Sequence, residues 1–283
     1  MTVNEAISFF KGSLNANLDS GEKSAIVRMV IKHVLNYEPV DIILRGDHDV
    51  PEFVESRLAE IASRLNRNEP VQYVLGTAHF YGHDFTVTPA TLIPRPETEQ
   101  LVDMIVDENP ATDLNVLDVG TGSGCIAISL AMALKFARVT AFDISAEALA
   151  VAQTNAKSIK AQVRFVNADA LKPWPMQRES LDIVVSNPPY VCESEKAQME
   201  PNVLDYEPAQ ALFVPDENPL LFYKQISQEA SLALKPGGRL YFEINRLYGS
   251  ETAAMLKAMG YDDVSVITDS YGNERFVKAV WRR

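Results

Sequence analysis

Leu117-Asp118-Val119-Gly120-Thr121-Gly122-Ser123-Gly124 lies between an apolar run over residues 114–119 and an apolar helical pattern over residues 125–136. A strand that turns through glycines into a helix presents backbone N–H groups at a helix N-terminus, where a ligand can approach the chain closely. Two well-known glycine loops do not fit. The dinucleotide pattern GxGxxG requires a glycine at position 125, which is Cys125, and a phosphate loop requires Lys followed by Ser or Thr, which is missing. What remains is GxGxG preceded by an acid.

Outward from this loop, strand and helix patterns alternate. Strands are expected over 138–143, 163–168, 181–186 and 239–244, with helices over 146–157 and 219–234. Two late strands, 264–268 and 275–281, flank the hairpin signal Ser270-Tyr271-Gly272-Asn273. The pattern predicts an α/β fold: a doubly wound, mostly parallel seven-stranded sheet covered on both faces. The late hairpin predicts an antiparallel strand at one edge of it.

The strands that follow the loop lead to acids. Asp143 ends the second strand, 25 residues after Asp118, close to the spacing at which a carboxylate meets ribose hydroxyls in doubly wound folds. The third strand leads to Asp169, a candidate contact for a base. Asp118 beside the loop disfavours a phosphate and tolerates a cationic, phosphate-free nucleoside. S-adenosylmethionine, with its sulfonium and ribose, fits better than NAD.

The fourth strand runs into Asn187-Pro188-Pro189-Tyr190, at the carboxyl edge of the expected sheet and beside the ligand crevice. The prolines fix φ and remove two donors, leaving stiffly held carbonyl acceptors. An –NH₂ group on a planar substrate has two N–H donors. The Asn187 side-chain oxygen can take one and the Pro188 carbonyl the other. A delocalised amide or aromatic amine nitrogen would thereby have its lone pair aimed at an activated methyl. Catalysis would rest on positioning, a contribution of ~7–11 kcal/mol. Tyr190 would wall off the planar group.

The first 70 residues read as amphipathic helices, with Ile26, Met29, Val30 and Val34 in one and Val54, Leu58, Ile61 and Leu65 in another. Residues 73–93, around His79-Phe80-Tyr81-Gly82-His83, read as a hairpin joining two domains. His79 and His83 are expected to be turn or surface histidines, and no metal site is expected. The resulting division is residues 1–70 helical, 71–94 linker hairpin and 95–283 catalytic. The net charge of −12, spread over both parts, argues against a protein that grips nucleic acid. Two cysteines without CxxC spacing, no basic–apolar leader and no long apolar run predict a soluble, cytoplasmic protein with no membrane association.

Together these residues resemble the peptide chain release factor glutamine methyltransferases, class I S-adenosylmethionine-dependent enzymes. Asn187–Tyr190 alone is shared with amino-methyltransferases acting on adenine or cytosine in nucleic acid, which stand as the alternative. Glu69-Pro70-Val71-Gln72-Tyr73, Ile93-Pro94-Arg95-Pro96-Glu97-Thr98-Glu99, Tyr206-Glu207-Pro208 and Pro236-Gly237-Gly238 before Glu243 are more specific. The resemblance implies methylation of the side-chain amide nitrogen of the glutamine in a release factor's Gly-Gly-Gln loop. It implies that Asp118, Gly120, Thr121, Gly122, Ser123, Gly124, Asp143, Asp169, Ala170 and Asn187 serve the cofactor. Asn187, Pro188, Pro189 and Tyr190 would hold the substrate, with Asn187, Pro188 and Tyr190 catalytic. The helical domain would contact the release factor, and a monomer is expected. One departure stands out: Asn245 occupies a position where this family usually has glycine.

Overall fold

The computed structural model describes residues 1–15 and 18–282. The chain forms two compact units, residues 1–76 with 201–206, and residues 77–200 with 207–283. The first unit therefore runs past residue 70, and the hairpin belongs to the second.

The first unit is helical: α1 (Val3–Ser13), α2 (Ser20–Leu35), α3 (Pro39–Leu44), α4 (Phe53–Leu65) and α5 (Val71–Leu75). Thr2 and Glu5 form a reciprocal cap on α1, and the Asp19 carboxylate accepts from two N–H groups at the start of α2. The apolar stripes read from sequence meet in one core of Phe10, Ile26, Val30, Ile31, Val54, Leu58 and Ile61. Met29 falls outside it, largely exposed.

The second unit opens with β1 (Thr77–Phe80) and β2 (His83–Thr86), paired antiparallel across Tyr81-Gly82. Both turn residues have positive φ, as the commonest two-residue hairpin requires. His79 Nδ1 lies 2.8 Å from Asp84 Oδ1 on the exposed face of this hairpin. There follow α6 (Pro96–Glu108), β3 (Asn115–Val119), α7 (Cys125–Ala133), β4 (Arg138–Asp143), α8 (Ala146–Ile159), β5 (Val163–Asn167) and β6 (Leu181–Ser186). Two short strands, β7 (Val191–Cys192) and β8 (Phe213–Val214), pair with each other. Between them lies α9 (Pro201–Leu204), which belongs to the first unit. The chain closes with α10 (Leu221–Ala233), β9 (Leu234–Glu243), α11 (Gly249–Met259), β10 (Asp262–Thr268) and β11 (Glu274–Trp281).

The main sheet has seven strands in the order β10-β11-β9-β6-β3-β4-β5. The strands from β9 to β5 are mutually parallel, and β11 is antiparallel to both β9 and β10. The antiparallel strand is thus not at the edge, which corrects the sequence reading. The late hairpin inserts β11 between β9 and β10 because β11 carries the buried Phe276, Val277 and Ala279, which need cover on both sides. The half-exposed β10 tolerates the edge. The sequence reading also lacked α11, whose buried face is only Thr252, Ala253 and Leu256 beside Gly249, too sparse an apolar stripe to signal a helix.

Two apolar layers sandwich the sheet. One gathers Leu101, Ile105, Ile126, Ile128 and Leu130 against Val116 and Ile183; the other packs Tyr223, Ile226, Leu256 and Tyr261 against Leu117, Val184, Leu240 and Phe242. Register then fixes what meets at the carboxyl edge. Val119 lies opposite Phe142 and Ser186, and Ser186 lies opposite Phe242.

Candidate active site

A cavity of about 290 Å³ opens at this edge, where the order of strands reverses between β3 and β6. Its wall includes Gly120, Thr121, Gly122, Ser123, Asp143, Asp169, Ala170, Asn187, Pro188 and Pro189. Three residues singled out from sequence do not line it: Asp118, Gly124 and Tyr190.

The loop is wired to the next strand. The N–H groups of Gly120 and Thr121 both donate to the Phe142 carbonyl, and that of Gly122 donates to Asp143 Oδ2 at 2.8 Å. The other Asp143 oxygen accepts from Ser145 N–H at 2.9 Å. Asp143 is thus a brace for the loop as well as a wall of the cavity, and burial raises its carboxyl above the ordinary range. Gly120 and Gly122 have φ of +76° and +54°, and a Cβ at either would meet no protein atom within 4 Å beyond its chain neighbours, so each faces open space. That is the shape of a cradle that a ligand fills. Gly124 differs: a Cβ there would come within 3.0 Å of Ile128 Cδ1 and 3.1 Å of Ala152 Cβ, so this glycine serves the packing of α7 on α8.

Asp118 lies fully buried beneath the loop, its Oδ2 accepting from Thr121 Oγ1 at 2.6 Å. Desolvation raises it to about 7, against the lowering effect of that hydrogen bond. An acid whose pKa is higher folded than unfolded binds more protons in the native state between the two values. Stability is therefore lost as pH rises from the unfolded value to about 7 and stays constant above it. Relative to Asp118→Asn, the wild type is expected to lose roughly 1.4 kcal/mol per pH unit inside that window. Urea titrations between pH 5.5 and 8.5 check this; a pH-independent difference contradicts it.

The opposite wall is built by β6. Ser186 Oγ donates to the Val119 carbonyl at 2.6 Å, tying the end of β6 to the start of the glycine loop. The chain then leaves the sheet through half-buried Asn187 and buried Pro188. Tyr190 does not line the cavity, and it donates its hydroxyl to Glu243 Oε1 at 3.1 Å. Burial, and next the charge of Glu243, push this phenol well above its usual pKa, so it stays protonated and is no base.

Further residues build the site, and the sequence motifs that hold some of them did not show what they touch. Asn155 of α8, fully buried, donates to the carbonyls of Ser123 and Thr86 and accepts from Thr86 N–H, holding the hairpin against the glycine loop. Glu207 accepts from Arg95 Nη2 at 2.6 Å and Ile93 N–H at 3.1 Å, so it pins the segment entering α6, where Arg95 lines the cavity. Ile144, which follows Asp143, and Leu171, two residues after Asp169, are 60% and 37% exposed and both line the cavity. Cys125 also lines it, but burial pushes its thiol up to about 12, leaving it unreactive.

Comparison with known proteins matches this arrangement. A model described as the PrmC N-terminal domain covers residues 4–76, and one described as the methyltransferase small domain covers 96–205. A release factor glutamine methyltransferase of Bacteroides thetaiotaomicron is 46% identical over 277 residues, spanning 98% of this chain and 99% of that one. The chain belongs to the release factor glutamine methyltransferase family. A second member, from Flavobacterium psychrophilum, is 40% identical over 96% of this chain and 97% of its own. The fold is shared with a methyltransferase of Pyrococcus furiosus of known structure, with a TM-score of 0.54 at 18% identity over 80% of this chain and all of that one. Every residue that lines the cavity belongs to the second unit. Among the described residues no helix is long and apolar enough to cross a membrane.

Proposed function

We propose that this protein transfers a methyl group from S-adenosylmethionine to the side-chain amide nitrogen of the glutamine in the Gly-Gly-Gln loop of peptide chain release factors. The observation that carries the reading is the shared cavity. The glycine cradle, Asp143 and Asp169 face the same space as Asn187 and Pro188. The names of the full-length relatives supply the class of substrate.

The residues fit the cofactor. The open space at Gly120 and Gly122 would admit its backbone contacts, Asp143 has lone pairs left that would serve ribose hydroxyls, and Ile144 and Leu171, with Asp169 and Ala170 in the same wall, would offer apolar faces to a flat base. When bound, it supplies an electrophilic methyl on a positively charged sulfur. Asn187 Oδ1 and the Pro188 carbonyl accept the two N–H bonds of the substrate amide and turn its nitrogen toward the cavity. The cavity wall holds no strong base: its carboxylates, Asp143 and Asp169, accept from backbone N–H groups of the loops, and the Cys125 thiol stays protonated. The chain therefore works by positioning. The amide proton leaves to water once its nitrogen carries the methyl group.

The helical unit is assigned to contact with the release factor, and the place of action to the cytoplasm. Incubation of a release factor with labelled cofactor is expected to label the Gly-Gly-Gln peptide on its glutamine, read by mass spectrometry. An unlabelled factor overturns the reading. Methylation of adenine or cytosine in duplex or tRNA, suppressed by salt, would replace it with the nucleic-acid alternative.

A further inference from the structure

The departure at Asn245 has a structural counterpart. Asn245 follows β9, whose end lies beside that of β6, and its φ is negative, so its backbone does not call for glycine. Its buried side chain is fully used. Nδ2 donates to the Tyr190 carbonyl at 3.1 Å and to Glu195 Oε2 at 2.8 Å, and Oδ1 accepts from Leu247 N–H at 3.0 Å. Glu195 Oε2 also accepts from Cys192 N–H at 2.8 Å, closing a ring around Tyr190–Cys192.

Two residues earlier, Glu243 is buried on the same strand end. Its Oε1 accepts from the Tyr190 hydroxyl, and its Oε2 from Thr98 Oγ1 at 2.7 Å. Tyr190 is therefore gripped at both ends, by its hydroxyl and by its carbonyl, from one strand terminus. Its own N–H is spent on the Leu212 carbonyl. Between this grip and the Ser186 tie to Val119 lie only Asn187, Pro188 and Pro189, and the prolines have little freedom of their own.

We propose that Glu243 and Asn245 are positioning residues for methyl transfer: they clamp Tyr190 by its hydroxyl and its carbonyl, and so set the direction in which Asn187 and Pro188 present their acceptors. The proposal rests on the reading of the tetrapeptide given above. Neither residue lines the cavity; Glu243 also accepts from Thr98, which does, so Tyr190→Phe rather than a change at Glu243 isolates its arm on Tyr190.

The full-length protein tests this with Asn245→Ala, Asn245→Asp, Tyr190→Phe and the double variant Tyr190→Phe/Asn245→Ala. Asn245→Asp retains an acceptor for Leu247 N–H but loses both donors, so it separates the clamp from a local turn. The readouts are amide exchange at Tyr190–Cys192, calorimetric cofactor binding, and kcat and KM for the release factor. Asn245→Ala and Asn245→Asp are expected to lower kcat about 10-fold, with KM and cofactor affinity unchanged. Exchange at Tyr190–Cys192 rises while exchange in β3 does not. Tyr190→Phe, which removes the Glu243 arm, lowers kcat too, and the losses in the double variant are non-additive because both arms hold one residue.

Wild-type behaviour of Asn245→Asp would make Asn245 a turn residue and overturn the clamp. So would additive losses, or faster exchange without a fall in kcat. Should the wild type fail to methylate a release factor, the substrate reading falls, yet exchange still decides whether the clamp exists.

Discussion

Asn187→Ala is expected to reduce methyl transfer by roughly 10²-fold or more, with binding of S-adenosylmethionine largely retained. Asn187 stands where the chain leaves β6 and lines the cavity, and truncating it removes one of the two acceptors proposed for the substrate amide. The Pro188 carbonyl remains, so the substrate amide can still dock, but its nitrogen is free to turn. Since the cavity wall offers no strong base, nothing compensates for the lost direction. Folding should be little affected: Asn187 is half-buried, and the strand end is held independently by Ser186 Oγ on the Val119 carbonyl. Single-turnover rates with saturating cofactor and release factor, beside calorimetric binding, check this. Transfer at the wild-type rate would remove Asn187 from the mechanism, and loss of cofactor binding in proportion would move it to the cofactor side.

Asp143→Ala is expected to weaken cofactor binding by about 10²-fold or more. The carboxylate accepts from Gly122 and Ser145 N–H groups, and hydrogen bonds to charged groups contribute about 1.5–3 kcal/mol each. Its removal leaves two half-buried N–H groups unpaired, lets the glycine cradle relax and deletes the acceptor proposed for the ribose. Asp143→Asn keeps the shape but offers only one acceptor oxygen, so one of those N–H groups meets an NH₂. Its affinity should fall between wild type and Asp143→Ala. Titration calorimetry with S-adenosylmethionine and with its demethylated product should show parallel losses, because the ribose is common to both. Loss for one ligand alone would place Asp143 near the sulfur instead.

The sheet was legible in the chain because strand periodicity and glycine chemistry are local. The run 114–119, the turn Gly120–Gly124 and the following apolar helix need no distant information, and each lies where it was read. Within the loop the glycines were not distinguishable. Positive φ at Gly120, Gly122 and Gly124 is one local property, but only the packed structure separates two that face the cavity from one that admits Ile128 and Ala152. Asp118 was read as a cofactor acid by its place beside the loop. In the structure it lies beneath the loop, buried against Thr121, and does not line the cavity.

How the site is supported was hidden for a different reason: Glu207, Glu243 and Asn245 stood out in the chain, but their partners did not. Asn155, Glu207, Glu243 and Asn245 are polar residues whose partners are 32 to 145 positions away, and no periodicity marks such pairs. The order of the late strands was hidden in the same way, because a hairpin signal gives the turn and not which arm meets the sheet. What the chain determined by itself was the α/β class, the glycine turn, the acids near strand ends and the stiff Asn-Pro-Pro-Tyr corner, all set by backbone preferences within a few residues. What only the tertiary structure decided was which of those groups share a cavity and what holds them there. That depends on strand register and burial, which are properties of packed neighbours rather than of neighbours in sequence.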